Sequence, residues 1–92
     1  MKDYVLDMSL LKYIERLEQM DQLIRMKATG TSKEFADKLG ISRSLMMQEL
    51  HVLKELGAEI EYDKKRQTYF YKKRMKLFFG FLSKSDDTPK DF

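Results

Sequence analysis

Residues 31–57 read TSKEFADKLGISRSLMMQELHVLKELG and contain the signals that decide the fold. Thr31 and Glu34 have the spacing of a capping box, in which the threonine hydroxyl accepts from a backbone amide and the glutamate reaches back. Gly40 offers the left-handed conformation at which helices commonly end. Ser42, two residues later, is a good N-cap for another helix. The stretch therefore predicts two helices joined by a very short turn.

Both predicted helices have one apolar face. The shorter helix is expected to bury Phe35, Ala36 and Leu39. The longer helix is predicted from Arg43 to Leu56, with Gly57 as its stop. Its apolar residues recur three and four positions apart and are Met46, Leu50 and Leu53. A chain of 92 residues has room for a single core, so both faces are expected to pack on it.

Another amphipathic helix is predicted ahead of this stretch, from about Ser9 to Lys27, with Gly30 as its stop. Asp21 and Arg25 are four residues apart in the order that favours an ion pair, and we expect both on its surface. The residues of its apolar face are spaced three and four apart and are Leu10, Tyr13, Ile14, Leu17, Met20, Leu23 and Ile24.

After Gly57 the apolar periodicity changes from 3.6 to 2, because Ile60 and Tyr62 alternate with acidic residues. Residues 68–71 are β-branched and aromatic, so this part predicts a β-hairpin. Its connection, residues 63–67, lacks the Asn-Gly pair of the tightest turns, which predicts a longer, solvent-exposed tip. We expect the aromatic residues to pack on the helices rather than to form a stacking platform for single-stranded bases.

The positive charge of the chain is concentrated late in the sequence. Residues 64–76 contain seven lysines and arginines and no acid, whereas residues 1–63 have nine such cations and twelve acids. The sum is only +3. A basic segment of this kind suits an anionic partner such as nucleic acid phosphate.

Several classes of protein are disfavoured by composition. The chain has no cysteine and one histidine, so disulfides and the usual zinc sites are not expected. It has no nucleophile beside a base and no phosphate-binding glycine loop, so we expect no enzyme, no cofactor and no small-molecule ligand. The longest apolar run has six residues, against about 20 for a membrane span. The acidic N-terminus is unlike a secretory signal, and a cytoplasmic location is expected.

The order of helices, tight turn and hairpin resembles a known DNA-binding family. The run FADKLGISRS, residues 35–44, followed by the apolar residues named above, Leu56-Gly57 and Tyr62-Asp63, resembles the biotin-repressor type of winged helix-turn-helix domain. The resemblance covers roughly residues 10–71. It implies an α+β, mainly helical fold with three helices and a β-hairpin wing. It also implies sequence-specific binding of double-stranded DNA by a small, bacterial-type transcriptional regulator or a mobile-element accessory protein.

Two sets of residues are the predicted DNA contacts. If the apolar stripe of the third helix faces the core, its opposite face and its cap enter or border the major groove. This set comprises Ser42, Arg43, Ser44, Met47, Gln48, His51 and Lys54. The second set is the basic hairpin tip, which can neutralise phosphates or enter the minor groove. It comprises Lys64, Lys65, Arg66 and Gln67.

The acids Glu49 and Glu55 are on the same helix and would repel phosphates if they faced the groove. They are the best sequence support for the alternative, a winged helix that contacts another protein and does not bind DNA. Lys72, Lys73, Arg74 and Lys76 continue the basic run, but alternation along a strand would divide them between faces.

The C-terminal part leaves two alternatives open. The apolar segment Leu77–Leu82 either closes the core of the chain or forms a subunit interface, so a homodimer is one expectation. Residues 1–82 are predicted to be a single domain, and residues 83–92 to be a flexible tail.

Overall fold

A computed structural model of the chain describes residues 2–81, with side chains described from residue 9 onwards. Its three helices and two-stranded antiparallel hairpin confirm the predicted α+β, mainly helical winged helix-turn-helix arrangement. In chain order the elements are α1 (Lys2–Arg25), α2 (Ser32–Leu39), α3 (Arg43–Glu55), β1 (Ile60–Asp63) and β2 (Thr68–Tyr71). None of the helices within the described part combines the length and hydropathy that a membrane crossing requires.

The unit of α2, turn and α3 forms as its local signals predict. The Thr31 hydroxyl accepts from the Glu34 amide at 3.2 Å, and Glu34 Oε1 accepts from the Thr31 amide at 2.8 Å. Gly40 has φ 71°, the left-handed region in which glycine is favoured. The Ser42 hydroxyl then accepts from the Leu45 amide at 3.1 Å and caps α3. The turn between α2 and α3 therefore consists of only residues 40–42.

The core lies where α1, both helices of the turn unit and the hairpin meet. Most of the predicted apolar residues are in it, and Tyr13, Leu23 and Leu39 pack against its edge. Leu10 is an exception, because it is 56% exposed. It belongs to the part of α1 that precedes the residues in contact with the core. The buried apolar residues are Leu17, Met20, Ile24, Phe35, Ala36, Met46, Leu50, Leu53, Ile60 and Tyr69.

The bounds of α1 differ from those predicted. The helix begins at Lys2 instead of about Ser9, since no glycine or proline interrupts the preceding residues. It ends at Arg25, ahead of the predicted Lys27, because Lys27 itself adopts the left-handed conformation with φ 53°. The carboxyl end of α3 differs from the predicted one by a single residue.

The expectation that Asp21 lies on the surface of α1 is wrong, because this residue is only 2% exposed. Its Oδ1 accepts from the Tyr71 hydroxyl at 2.6 Å and from the Leu77 amide at 3.1 Å. Its Oδ2 accepts from Arg25 Nε at 2.9 Å. One carboxylate thus joins α1, β2 and the chain that follows β2.

The segment Leu77–Leu82 is divided between two environments. Leu77 packs against the core, and the described residues after β2 form no further strand. Phe78, Phe79 and Phe81 are 59%, 38% and 102% exposed. Leu82 and the predicted tail, residues 83–92, lie outside the described residues.

Candidate nucleic-acid interface

The predicted contact residues of α3 all lie on its solvent-exposed side. Burial of Met46, Leu50 and Leu53 turns one stripe of the helix to the core, and the predicted contact residues lie off this stripe and are exposed. Lys54 is exposed about one turn beyond His51, and Ser42 is exposed at the cap, but neither lines the shallow depression on this side. The residues that line this shallow depression together are Arg43, Ser44, Met47, Gln48 and His51.

Glu49 does not belong to this exposed face. It is 4% exposed and binds Arg16 of α1, with Arg16 Nε to Glu49 Oε1 at 2.7 Å and Nη2 to Oε2 at 2.5 Å. This two-point contact raises the pKa of Arg16, and the charged guanidinium balances the carboxylate. An ion pair between α1 and α3 therefore holds the Glu49 carboxylate off the exposed face, which removes the concern that it repels phosphates there.

Glu55 is different, because its side chain is 72% exposed. Its Oε2 lies 3.5 Å from Nε2 of His51. An acid therefore borders the exposed face at its carboxyl-terminal end, beside His51. The amino-terminal half of the face, around Arg43 and Gln48, has no acidic residue among those that line the depression.

Arg43 ties the two helices of the turn unit together at their amino ends. Its Nε donates to the Ser32 hydroxyl at 2.7 Å. Within residues 9–81 its two terminal nitrogens have no hydrogen bond, and these are the groups that suit a phosphate or a guanine. The guanidinium is thus positioned by one hydrogen bond and still has donors for a ligand.

The half of the hairpin nearer its tip packs directly beside this face. The Tyr69 hydroxyl donates to Met47 Sδ at 3.7 Å, while the Tyr69 ring lies against Phe35 and edge-on to Tyr62. Burial is the main reason that the pKa of Tyr69 is raised above its ordinary value. Met47 keeps 41% of its surface exposed in this arrangement. The exposed face of α3 and the wing are therefore parts of one continuous surface.

Two buried threonines fix the wing to the loop before α2. Thr29 Oγ1 accepts from the Tyr69 amide at 2.9 Å and lies 3.1 Å from Thr68 Oγ1. The Thr29 amide donates to Thr68 Oγ1 at 3.2 Å. Reasoning from the sequence did not identify these residues, because no local pattern pairs positions 39 residues apart.

The tip of the wing is an ordered turn that presents its cations to solvent. Asp63 Oδ1 accepts from the backbone amides of Lys65 and Arg66, at 2.9 and 3.2 Å. Gln67 closes the turn with φ 54°, and the strands pair from Asp63 with Thr68 to Ile60 with Tyr71. The tip is longer than a two-residue turn and exposed, as predicted. Its four side chains, Lys64, Lys65, Arg66 and Gln67, are all exposed.

The face of α3 and the tip of the wing together offer cations, amides and hydroxyls on one surface, with the core behind it. Such groups are of the kinds that contact phosphates and base edges in protein–DNA complexes. In comparisons with known proteins, no protein-family model matches the chain, and no curated protein or solved structure matches it either.

Proposed function

We propose that this chain binds double-stranded DNA as a winged helix-turn-helix protein of the biotin-repressor type. In this proposal the exposed face of α3 enters the major groove, and the basic tip, residues 64–67, contacts the backbone or the minor groove. The role that fits such a chain is that of a small transcriptional regulator or a mobile-element accessory protein.

The burial of Glu49 is the observation that carries the proposal. The strongest argument against DNA binding by α3 is its acids, and one of them is neutralised by Arg16 away from the exposed face. What remains at the amino end of that face is Arg43, Ser44, Met47 and Gln48. These side chains supply donors, acceptors and an apolar group of the kinds that read base edges.

Duplex binding is tested by fluorescence anisotropy with a random-sequence duplex and a matched single strand over a range of salt concentrations. The proposal predicts duplex binding that weakens steeply with salt and exceeds binding to the single strand. A wing variant, in which Lys64, Lys65 and Arg66 are replaced by alanine, is expected to bind the duplex more weakly. Equal affinity of the wing variant and the wild type would overturn the role of the wing.

A second candidate function, contact with protein, is favoured by the exposed aromatic residues after β2. Phe78, Phe79 and Phe81 leave large apolar surfaces in solvent, and the homodimer predicted from this segment would cover them. A doubled mass in light scattering, lost in the variant Phe78→Ser with Phe81→Ser, is the result expected for a homodimer. Monomeric wild-type protein at tens of micromolar would contradict it.

A further inference from the structure

A second basic surface lies outside the face of α3 and the wing tip. It is a groove of about 660 Å³ between the carboxyl end of α1 and the chain that follows β2, with Ile24, Tyr71 and Met75 in its walls. No acidic residue of the described part of the chain lines it. Its six cations are Arg25, Lys27, Lys72, Lys73, Arg74 and Lys76.

Three of these cations are balanced by neighbouring acids. Arg25 binds Asp21, Lys72 Nζ lies 3.5 Å from Glu61, and Lys73 Nζ lies 3.4 Å from Glu59. The pairs that Lys72 and Lys73 form are exposed and add little stability. These two lysines can therefore turn to an anionic ligand at small cost.

The other three cations, Lys27, Arg74 and Lys76, are exposed and form no ion pair within residues 9–81. Like charges gathered at one groove repel one another, and an anion that enters the groove relieves this repulsion. The groove therefore has both the charge and the space for a phosphate-rich ligand.

The backbone of Lys27 is a separate observation at the same groove. Its φ of 53° places a long side chain in the left-handed region, which favours glycine and asparagine at the end of a helix. A lysine there brings a cation to the groove at the expense of local backbone strain. Strained residues that persist are found preferentially at ligand-binding sites.

The groove and the wing tip lie at opposite ends of β2. Three residue steps separate Thr68 from Tyr71, which is about 10 Å along an extended strand. No residue of the groove lines the depression on α3. The acid-free run of residues 64–76 thus forms two cationic clusters, the tip before β2 and the groove after it.

We propose that this groove binds the phosphate backbone of a second segment of double-stranded DNA, so that one chain bridges two duplexes. The proposal extends the proposed function, on which it rests for the identity of the first duplex. A duplex matches the charge of the groove because its phosphates are closely spaced negative charges. When lysine and arginine bind these phosphates, the counterions of the duplex are released. An acidic protein is the competing ligand, and the experiment includes it.

The test uses a groove variant in which Lys27, Arg74 and Lys76 are replaced by alanine. It removes the same charge as the wing variant, so each serves as the control for the other. Two short duplexes, one carrying a donor dye and one an acceptor dye, are mixed with protein, and energy transfer reports bridging. We expect wild-type protein to bind two duplexes per chain and the groove variant to bind one, with at least a tenfold loss of bridging. The wing variant should also bridge less, because its first duplex binds more weakly.

A second groove variant, with glycine in place of Lys27, guards against misfolding because glycine accepts the left-handed backbone. Both groove variants are compared with the wild type by circular dichroism. A stoichiometry of one duplex per wild-type chain, or bridging that persists in the folded groove variants, would overturn the proposal. So would groove-dependent binding of polyglutamate without groove-dependent binding of a duplex.

The same experiment separates the two proposals from each other. Unchanged duplex binding in the wing variant together with its loss in the groove variant would overturn the proposed function and leave the groove as a DNA site. Loss of duplex binding in the wing variant alone would support the proposed function and overturn the proposal for the groove.

Discussion

Arg16 of α1 holds the buried Glu49 of α3 in a partly buried two-point ion pair, with Arg16 Nε and Glu49 Oε1 2.7 Å apart. The pair joins the first helix to the helix proposed to read DNA. It also keeps one acid of α3 off the exposed face, because the carboxylate is held against α1. Stability and the electrostatics of the proposed interface therefore depend on the same contact.

Replacement of Arg16 by alanine is expected to lower the free energy of unfolding by about 1–3 kcal/mol, because Glu49 would keep a buried charge without its partner. Urea unfolding followed by circular dichroism measures the change. Glu55→Ala is the matched control on the same helix, since that side chain is 72% exposed, and its effect is expected within about 0.5 kcal/mol. Equal losses in the two variants would contradict this account of the pair.

Replacement of Tyr71 by phenylalanine removes one of the three donors to the buried Asp21 carboxylate. We expect the free energy of unfolding to fall by about 1–2 kcal/mol, as for other hydrogen bonds to charged groups. Tyr62→Phe is the control, because the Tyr62 hydroxyl has no hydrogen bond within residues 9–81 and its side chain is 36% exposed. An unchanged urea midpoint for Tyr71→Phe would show that the hydroxyl contributes nothing.

The same tyrosine predicts a loss of stability at high pH. Burial, with the hydrogen bond to Asp21, raises the pKa of Tyr71 above its ordinary value of about 10. A group whose pKa is raised by folding stabilises the protein fully below its unfolded pKa and loses that contribution as pH rises toward its folded pKa. Urea unfolding between about pH 8 and 11 should show the advantage of the wild type over Tyr71→Phe shrinking above about pH 10. A constant difference over this range would be evidence against the shift.

The wing variant, which lacks Lys64, Lys65 and Arg66, should bind all duplex sequences more weakly. If each cation contacts a phosphate, the slope of log affinity against log salt should fall by about 3. Anisotropy titrations at four or more salt concentrations measure this slope. Lys12→Ala removes an exposed cation from α1 and should leave the slope unchanged. A decrease of the same size per charge in that control would attribute the effect to net charge alone.

Replacement of Gln48 by alanine should change sequence preference and leave the salt slope as it is. Gln48 is exposed within the depression on α3, and its amide is expected to pair with adenine in the major groove. Such a pair discriminates against the wrong base by about 1–3 kcal/mol. Selection from a random duplex library, followed by titration of the selected site and its single-base variants, measures the preference. Identical selected sequences for Gln48→Ala and the wild type would contradict a role for this residue in readout.

The turn unit could be predicted because its determinants are local. Thr31 with Glu34, Gly40 and Ser42 each act within four residues, and each has in the structure the conformation or hydrogen bond that its position predicts. Exposure of the α3 contact residues also followed from helical periodicity. Which of these residues bind DNA stays a prediction.

The buried charges were missed, although the spacing contained a signal for them. Glu49 is three residues after Met46 and four before Leu53, and Asp21 is four residues after Leu17 and three before Ile24. Both acids therefore occupy positions of the apolar stripes. Polarity suggested exposure for Asp21 and left the orientation of Glu49 open, whereas long-range partners compensate the burial of both.

The partners of these two buried acids could not be predicted from the sequence. Arg16 is 33 residues from Glu49, and the Tyr71 hydroxyl is 50 residues from Asp21. The basic groove after β2 is also built from residues distant in sequence, because Lys27 and residues 72–76 line it together. No local pattern encodes these contacts.

The most direct test of the central claim is to map the duplex on the protein by backbone amide chemical shifts during titration with a selected or random-sequence duplex. DNA binding through α3 and the wing predicts the largest changes at residues 42–54 and 64–67, reduced at the tip in the wing variant. Absence of any change at low salt would contradict the claim and favour contact with protein, and changes confined to residues outside α3 and the wing would also contradict it.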